Sequence, residues 1–183
     1  MVEPARPVAR AFVIAGRVRY NIDMKTVEKL RVEIETAIEN LDEINARFTT
    51  FLGKGQRDLD GALLFSRYVE LYYNRLETVF LHVKAAFGND VESTQWHKTL
   101  LSAMAKDTPY RKRLIGDAAF HALDELRGFR HFVRYNYRLD NYDWDRIRVI
   151  TEMYEKSYTN VVADFRAFIE YLDALSSQDD TDG

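Results

Sequence analysis

Residues 126–139 carry Arg127, Arg130, Arg134, Arg138 and His131 without one Asp or Glu, although the formal charge of the whole chain is -3. On a helix turning about 100° per residue, these five basic side chains fall within an arc of roughly 100°. Tyr135 and Tyr137 flank that arc, while Leu126, Phe129, Phe132 and Val133 take the other side. The pattern predicts a helix that packs on one face and presents four guanidiniums and an imidazole on the other. Planar guanidinium forks crowded together suit a polyanion, and phosphate fits their geometry. The competing reading is a solvated helix face, but such faces ordinarily mix both signs of charge.

The rest of the composition narrows what such a face could meet. With a pI near 5.8 there is no global basic field, so contact with nucleic acid has to come through a local patch. The absence of cysteine excludes disulfides, thiolate metal sites and cysteine nucleophiles. No His-x-x-x-His pair or acidic-plus-His cluster occurs, and Gly53-Lys54-Gly55 lacks the spacing of a phosphate loop, so neither a metal nor a cofactor is expected. No apolar run approaches the roughly 18 residues of a membrane span. The short run 11–15 leads into Arg17 and Arg19, unlike a signal-peptide core, and a cytoplasmic location is the default expectation.

With 183 residues, 46% of them apolar and 13% aromatic, one folded domain with a full core is expected. Residues 1–20 read as an N-terminal arm, in which 11–20 could form a short strand. Asp23 is a plausible N-cap for a long helix whose apolar positions Val27, Leu30, Ile34, Ile38, Leu41, Ile44, Phe48 and Phe51 recur every three or four residues. Gly53 and Gly55 break it, and 59–87 reads as a second long helix ended by Gly88-Asn89. Ser93 can cap a third, shorter helix reaching 106. Asp117 is expected to cap the helix bearing the arginine stripe, and Asp143 to open a last helix reaching about 175. The domain should therefore span 21–176, with 177–183 a disordered acidic tail. Nothing alternates long enough to build a sheet, so the expected fold is an all-α bundle of about five helices.

Other candidates have blander readings. His82, His97 and His121 each stand alone in a helical pattern, as packing or surface residues do. Trp96 and Trp144 read as core anchors, and Tyr68, Tyr72 and Tyr73 as core and interface.

Leu126-Arg127-Gly128-Phe129-Arg130-His131-Phe132-Val133-Arg134-Tyr135-Asn136-Tyr137 resembles the motif helix of HepT-like HEPN-domain ribonuclease toxins. That helix reads roughly Leu-x-x-Phe-Arg-His-x-Phe-Arg-His-x-Tyr. Trp96-His97-Lys98-Thr99-Leu100-Leu101 is similar to the family's Trp-His-x-x-Leu-Leu segment, and Asp143-Trp144-Asp145-Arg146-Ile147 to the acid-Trp start of its last helix. The resemblance covers about residues 60–175. Arg130, His131, Arg134 and Tyr137 match, whereas Tyr135 stands where the family has its catalytic His.

The resemblance implies a HEPN-type bundle, dimeric, that cuts RNA without a metal: the ribose 2′-hydroxyl attacks the adjacent phosphate, Arg steadies the charge and His moves protons. Arg130 is then the catalytic arginine, and Arg127, Arg130, Arg134 and Arg138 the phosphate-binding set. His131 and Tyr135 are the proton-transfer candidates. It also implies a MntA-like nucleotidyltransferase antitoxin as partner, with Tyr137 the hydroxyl that accepts AMP, whose phosphate would occupy the RNA site electrostatically. A phenol titrating near about 10 is a poor base at neutrality, and losing a group that titrates there costs about 10²- to 10⁴-fold. The alternatives are a catalytically inactive HEPN module that binds RNA or a nucleotidyltransferase, and a helical scaffold.

Overall fold

The computed structural model describes residues 10–14, 17–87, 96–135 and 143–179. Among the described residues there are five helices: α1 (Met24–Gly53), α2 (Leu59–Phe87), α3 (Trp96–Met104), α4 (Asp117–Tyr135) and α5 (Trp144–Asp179). This is the all-α bundle that the periodicity predicts. Ahead of α1, β1 (Arg10–Ile14) and β2 (Arg17–Asn21) pair antiparallel, with Val13 opposite Val18. The stretch read as an arm with a possible strand therefore contains a two-stranded hairpin.

Helix α1 starts where Asp23 accepts from the Lys25 N–H, and it ends before Gly55, which takes a positive φ of 63° that suits glycine. The apolar positions read from the sequence bury as expected, except that Ile44 is only half-buried. Helices α1 and α2 run antiparallel, with Glu33 near Arg75 and His82 at one end and Phe48 against Phe65 at the other. Helix α5 lies across both, joined by the Phe48–Tyr154 ring contact at 4.2 Å and by Ser157 Oγ at 3.0 Å from the Tyr72 hydroxyl. Aromatic rings thus fill the space where three long helices meet, which supplies large buried apolar area with few rotors to freeze. Tyr72 and Tyr73 are fully buried, in keeping with their reading as core.

Three boundaries differ from the sequence reading, the first being the end of α3, which falls at Met104 rather than 106. Asp117 is the first residue of α4 rather than its cap; the preceding Gly116 N–H is held instead by Asp164 of α5, at 2.8 Å. Helix α5 runs on to Asp179, into the stretch read as a disordered tail. Ser176 and Ser177 lie within it and donate their hydroxyls back to the carbonyls of Leu172 and Asp173, which satisfies the side chains without ending the helix. Residues 180–183, Ser93, Gly88 and Asn89 lie outside the described residues.

The end of α3 is closed by a residue the sequence did not single out. Arg111 is fully buried and donates to the carbonyls of Ala103 at 2.8 Å, Lys112 at 2.9 Å and Lys106 at 3.4 Å. Its guanidinium satisfies carbonyls that a terminating helix leaves orphaned. Burial lowers its pKa from the usual arginine value. Through this knot, Leu114 and Ile115 hydrogen-bond back to the Met104 carbonyl and the chain is delivered to the start of α4.

Candidate functional site

Helix α4 lies against α2, α3 and α5. Its pairing with α2 is antiparallel, because Arg130 meets Asn74 and Glu77 whereas Arg134, one turn later, meets Glu70. Leu123, Leu126 and Phe129 drop into the core, Phe129 edge-on to Phe65 at 5.7 Å. This apolar seam follows the sequence periodicity and sets the rotation of the stripe.

That rotation corrects one part of the sequence reading. Arg130 is not on the open face: its side chain is only 7% exposed and lies between α4 and α2. One terminal nitrogen donates to Asn74 Oδ1 at 2.7 Å, the other reaches Glu77 Oε2 at 2.9 Å, and the guanidinium sits 5.3 Å above the Tyr73 ring. Its Nε–H is buried with no acceptor among the described residues. A guanidinium this far from water requires a buried counter-charge, and Glu77, itself 9% exposed, supplies it.

The other basic residues are also less lonely than the sequence suggests. Arg127 is paired within its own helix with Asp124 at 2.8 Å, and Arg134 stands 3.8 Å from Glu70. The stripe contains no carboxylate, but the structure brings three to it, two of them from α2. Arg134 nevertheless remains 45% exposed, and exposed His131 packs its ring at a 45° tilt against Tyr135, centroids 4.6 Å apart. Tyr135 is 64% exposed. Arg138 and Tyr137 lie outside the described residues.

The buried carboxylate has a second partner. Its Oε1 makes a short hydrogen bond with Nδ1 of His97 on α3, whose side chain is 31% exposed. Glu77 therefore ties together α2, α3 and α4, holding a guanidinium on one oxygen and an imidazole on the other. Sequence reasoning missed Asn74 and Glu77 and gave His97 no role. The available signal was a run of polar side chains, Glu70, Asn74 and Glu77, at steps of four and three along one face of α2.

Elsewhere, a cavity of about 320 Å³ opens between the α1–α2 turn and the start of α5, lined by Phe51, Gln56, Phe65, Trp144, Arg148 and Glu152 among others. It is bordered by none of the basic residues of α4. Among the described residues, no three His, Asp or Glu side chains converge as a metal site needs, and no helix is long and apolar enough to cross a membrane.

The family model described as "HepT-like protein" matches residues 64–172, taking in most of α2, all of α3 and α4, and α5 as far as Leu172. No curated protein and no solved structure matches.

Proposed function

The chain belongs to the HepT-like protein family, and from that membership and the geometry of α4 we propose a metal-independent endoribonuclease, the toxin of a toxin–antitoxin pair. The observation that carries this is the end of α4. There Arg130 is pinned by Glu77 and Asn74, and His131, Arg134 and Tyr135 stand exposed around it. Arg134 and His131 meet the scissile phosphate from the rim. Arg130 stabilises it from beneath, with a buried Nε–H that still lacks an acceptor. The ribose 2′-hydroxyl is the nucleophile, so RNA is cut and DNA is not.

The test is to incubate the purified protein with a structured RNA in EDTA. Cleavage to ends bearing a 2′,3′-cyclic phosphate is expected, slowed about 10²- to 10³-fold by Arg134→Ala, the usual loss for one donor to a developing charge. The same variant should reduce the salt slope of single-stranded RNA binding by about 0.7. Unchanged cleavage by Arg134→Ala would remove it from the site. No cleavage, with RNA binding intact, would favour the alternative of an inactive HEPN module, for which Tyr135 at the motif His position already speaks.

A second copy of the chain is the proposed first partner. Leu63, Leu64, Leu71 and Leu81 are each 37–42% exposed on α2 and fall within an arc of roughly 100° beside the edge that meets α4. Exposed leucines gathered on one stripe mark an interface more often than scattered ones do. Leu64→Glu with Leu71→Glu should convert a dimer to a monomer in sedimentation velocity, and a monomeric unmodified chain would refute the dimer. A MntA-like nucleotidyltransferase is the proposed antitoxin, adding AMP to Tyr137. A mass increase confined to the peptide containing Tyr137, lost in Tyr137→Phe, is its signature.

A further inference from the structure

The nuclease reading leaves one chemical role open, because the position that would carry the proton-transfer histidine is Tyr135. We infer that His97, held by Glu77 and contributed by a different helix, is the general base of this site; the inference rests on the nuclease reading.

An ionised carboxylate only accepts hydrogen bonds, so the Nδ1 of His97 that meets Glu77 Oε1 carries the ring proton, and the lone pair is on Nε2. That is how a base is set up elsewhere in proteins: a buried acid fixes the tautomer and the ring plane, and the opposite nitrogen works. Three features distinguish His97 from the other described histidines. The carboxylate behind it is buried, whereas the one near His82, Glu33, is only half-buried. The same carboxylate holds Arg130, so the imidazole and the motif guanidinium are fixed relative to each other by one rigid side chain. The imidazole is also 31% exposed, enough to be reached from solvent while its orienting partner is not. His131, by contrast, packs at a tilt against exposed Tyr135, and no carboxylate among the described residues holds its ring plane.

In the reaction, His97 Nε2 takes the proton of the ribose 2′-hydroxyl. The 2′-oxygen then forms its bond to phosphorus as the bond from phosphorus to the 5′-oxygen breaks. The departing 5′-oxygen takes a proton from water, leaving a 2′,3′-cyclic phosphate, a free 5′-hydroxyl and an imidazolium that returns its proton to solvent. Arg130 and Arg134 carry the charge that grows on the phosphoryl oxygens. Glu77 holds the imidazolium as it forms, without itself changing protonation.

The experiment compares the unmodified chain with His97→Gln, His97→Ala and His131→Gln for RNA cleavage in EDTA. His97→Gln keeps an N–H for Glu77 but cannot take the proton. Each protein is first shown to melt as a folded helical protein and to bind RNA. The expected result is a fall of about 10²- to 10⁴-fold for both His97 variants, carried by kcat rather than KM, with free imidazole restoring part of the rate to His97→Ala alone. His131→Gln, which loses a contact to the phosphate at the rim, should weaken RNA binding and raise KM while lowering kcat far less than the His97 variants do. A folded His97→Gln that cleaves like the unmodified chain overturns the assignment, as does a loss confined to His131→Gln, and both leave the nuclease reading standing. No cleavage by the unmodified chain overturns the nuclease reading and this inference with it.

Discussion

Glu77→Leu is expected to cost about 3–5 kcal/mol of folding stability, because it leaves the Arg130 guanidinium buried without its counter-charge. In a chain of this size that corresponds to a fall in Tm of roughly 6–20 °C. The same change strips His97 of its carboxylate and loosens a point at which α2, α3 and α4 are tied by polar groups. Adding Arg130→Met should return most of the loss. A buried ion pair is expensive to desolvate, so replacing both partners with apolar groups of similar volume is close to neutral, whereas breaking it from one side is not. Thermal melts of the two single variants and the double variant form a cycle that measures the coupling directly. A Glu77→Leu protein as stable as the unmodified chain would show that Arg130 does not depend on this carboxylate. The comparison also separates roles, since the double variant should fold yet lack the motif arginine, and any nuclease activity it kept would remove Arg130 from the chemistry.

The second large effect is expected at alkaline pH. Burial pushes the phenols of Tyr72, Tyr73 and Tyr154 well above the usual tyrosine value, with nearby Glu77 adding to the shift at Tyr73. Above about pH 10 the unfolded chain loses these three protons while the native chain keeps them, so stability is full below that pH and falls as pH rises. Each phenol contributes about 1.4 kcal/mol per pH unit, so the three together take about 4 kcal/mol per unit. Within one to two units this matches the whole stability of a typical domain, about 5–15 kcal/mol. Helical circular dichroism should therefore be lost in one cooperative step between about pH 10.5 and 12, together with the share of tyrosinate absorbance that the three buried rings contribute. The Tyr154 hydroxyl is buried with no partner among the described residues, so Tyr154→Phe should move that step upward. Ionisation of all eleven tyrosines by pH 12 with the helices intact would contradict the burial of these rings.

The sequence by itself determined the helices and the family. The apolar steps from Val27 to Phe51 and the breaks at Gly53 and Gly55 are local signals, written in the residues that form each element, and α1 and α2 follow them. The motif helix could likewise be read from consecutive residues, and the likeness placed at about 60–175 agrees with the family match over 64–172. What faces what was not legible. Periodicity gives the angle of a side chain about its own axis but not the neighbour it meets, and Arg130 lies at the edge of the basic arc, where a rotation set by Phe129 and Leu126 decides between water and α2. Tertiary structure turned it inward, brought Glu77 from 53 positions earlier in the chain to neutralise it, and set His97 on the same carboxylate. The reason is electrostatic: the cost of burying a charge is met only by groups that the fold brings together, and those groups leave no pattern in the sequence around the charge itself.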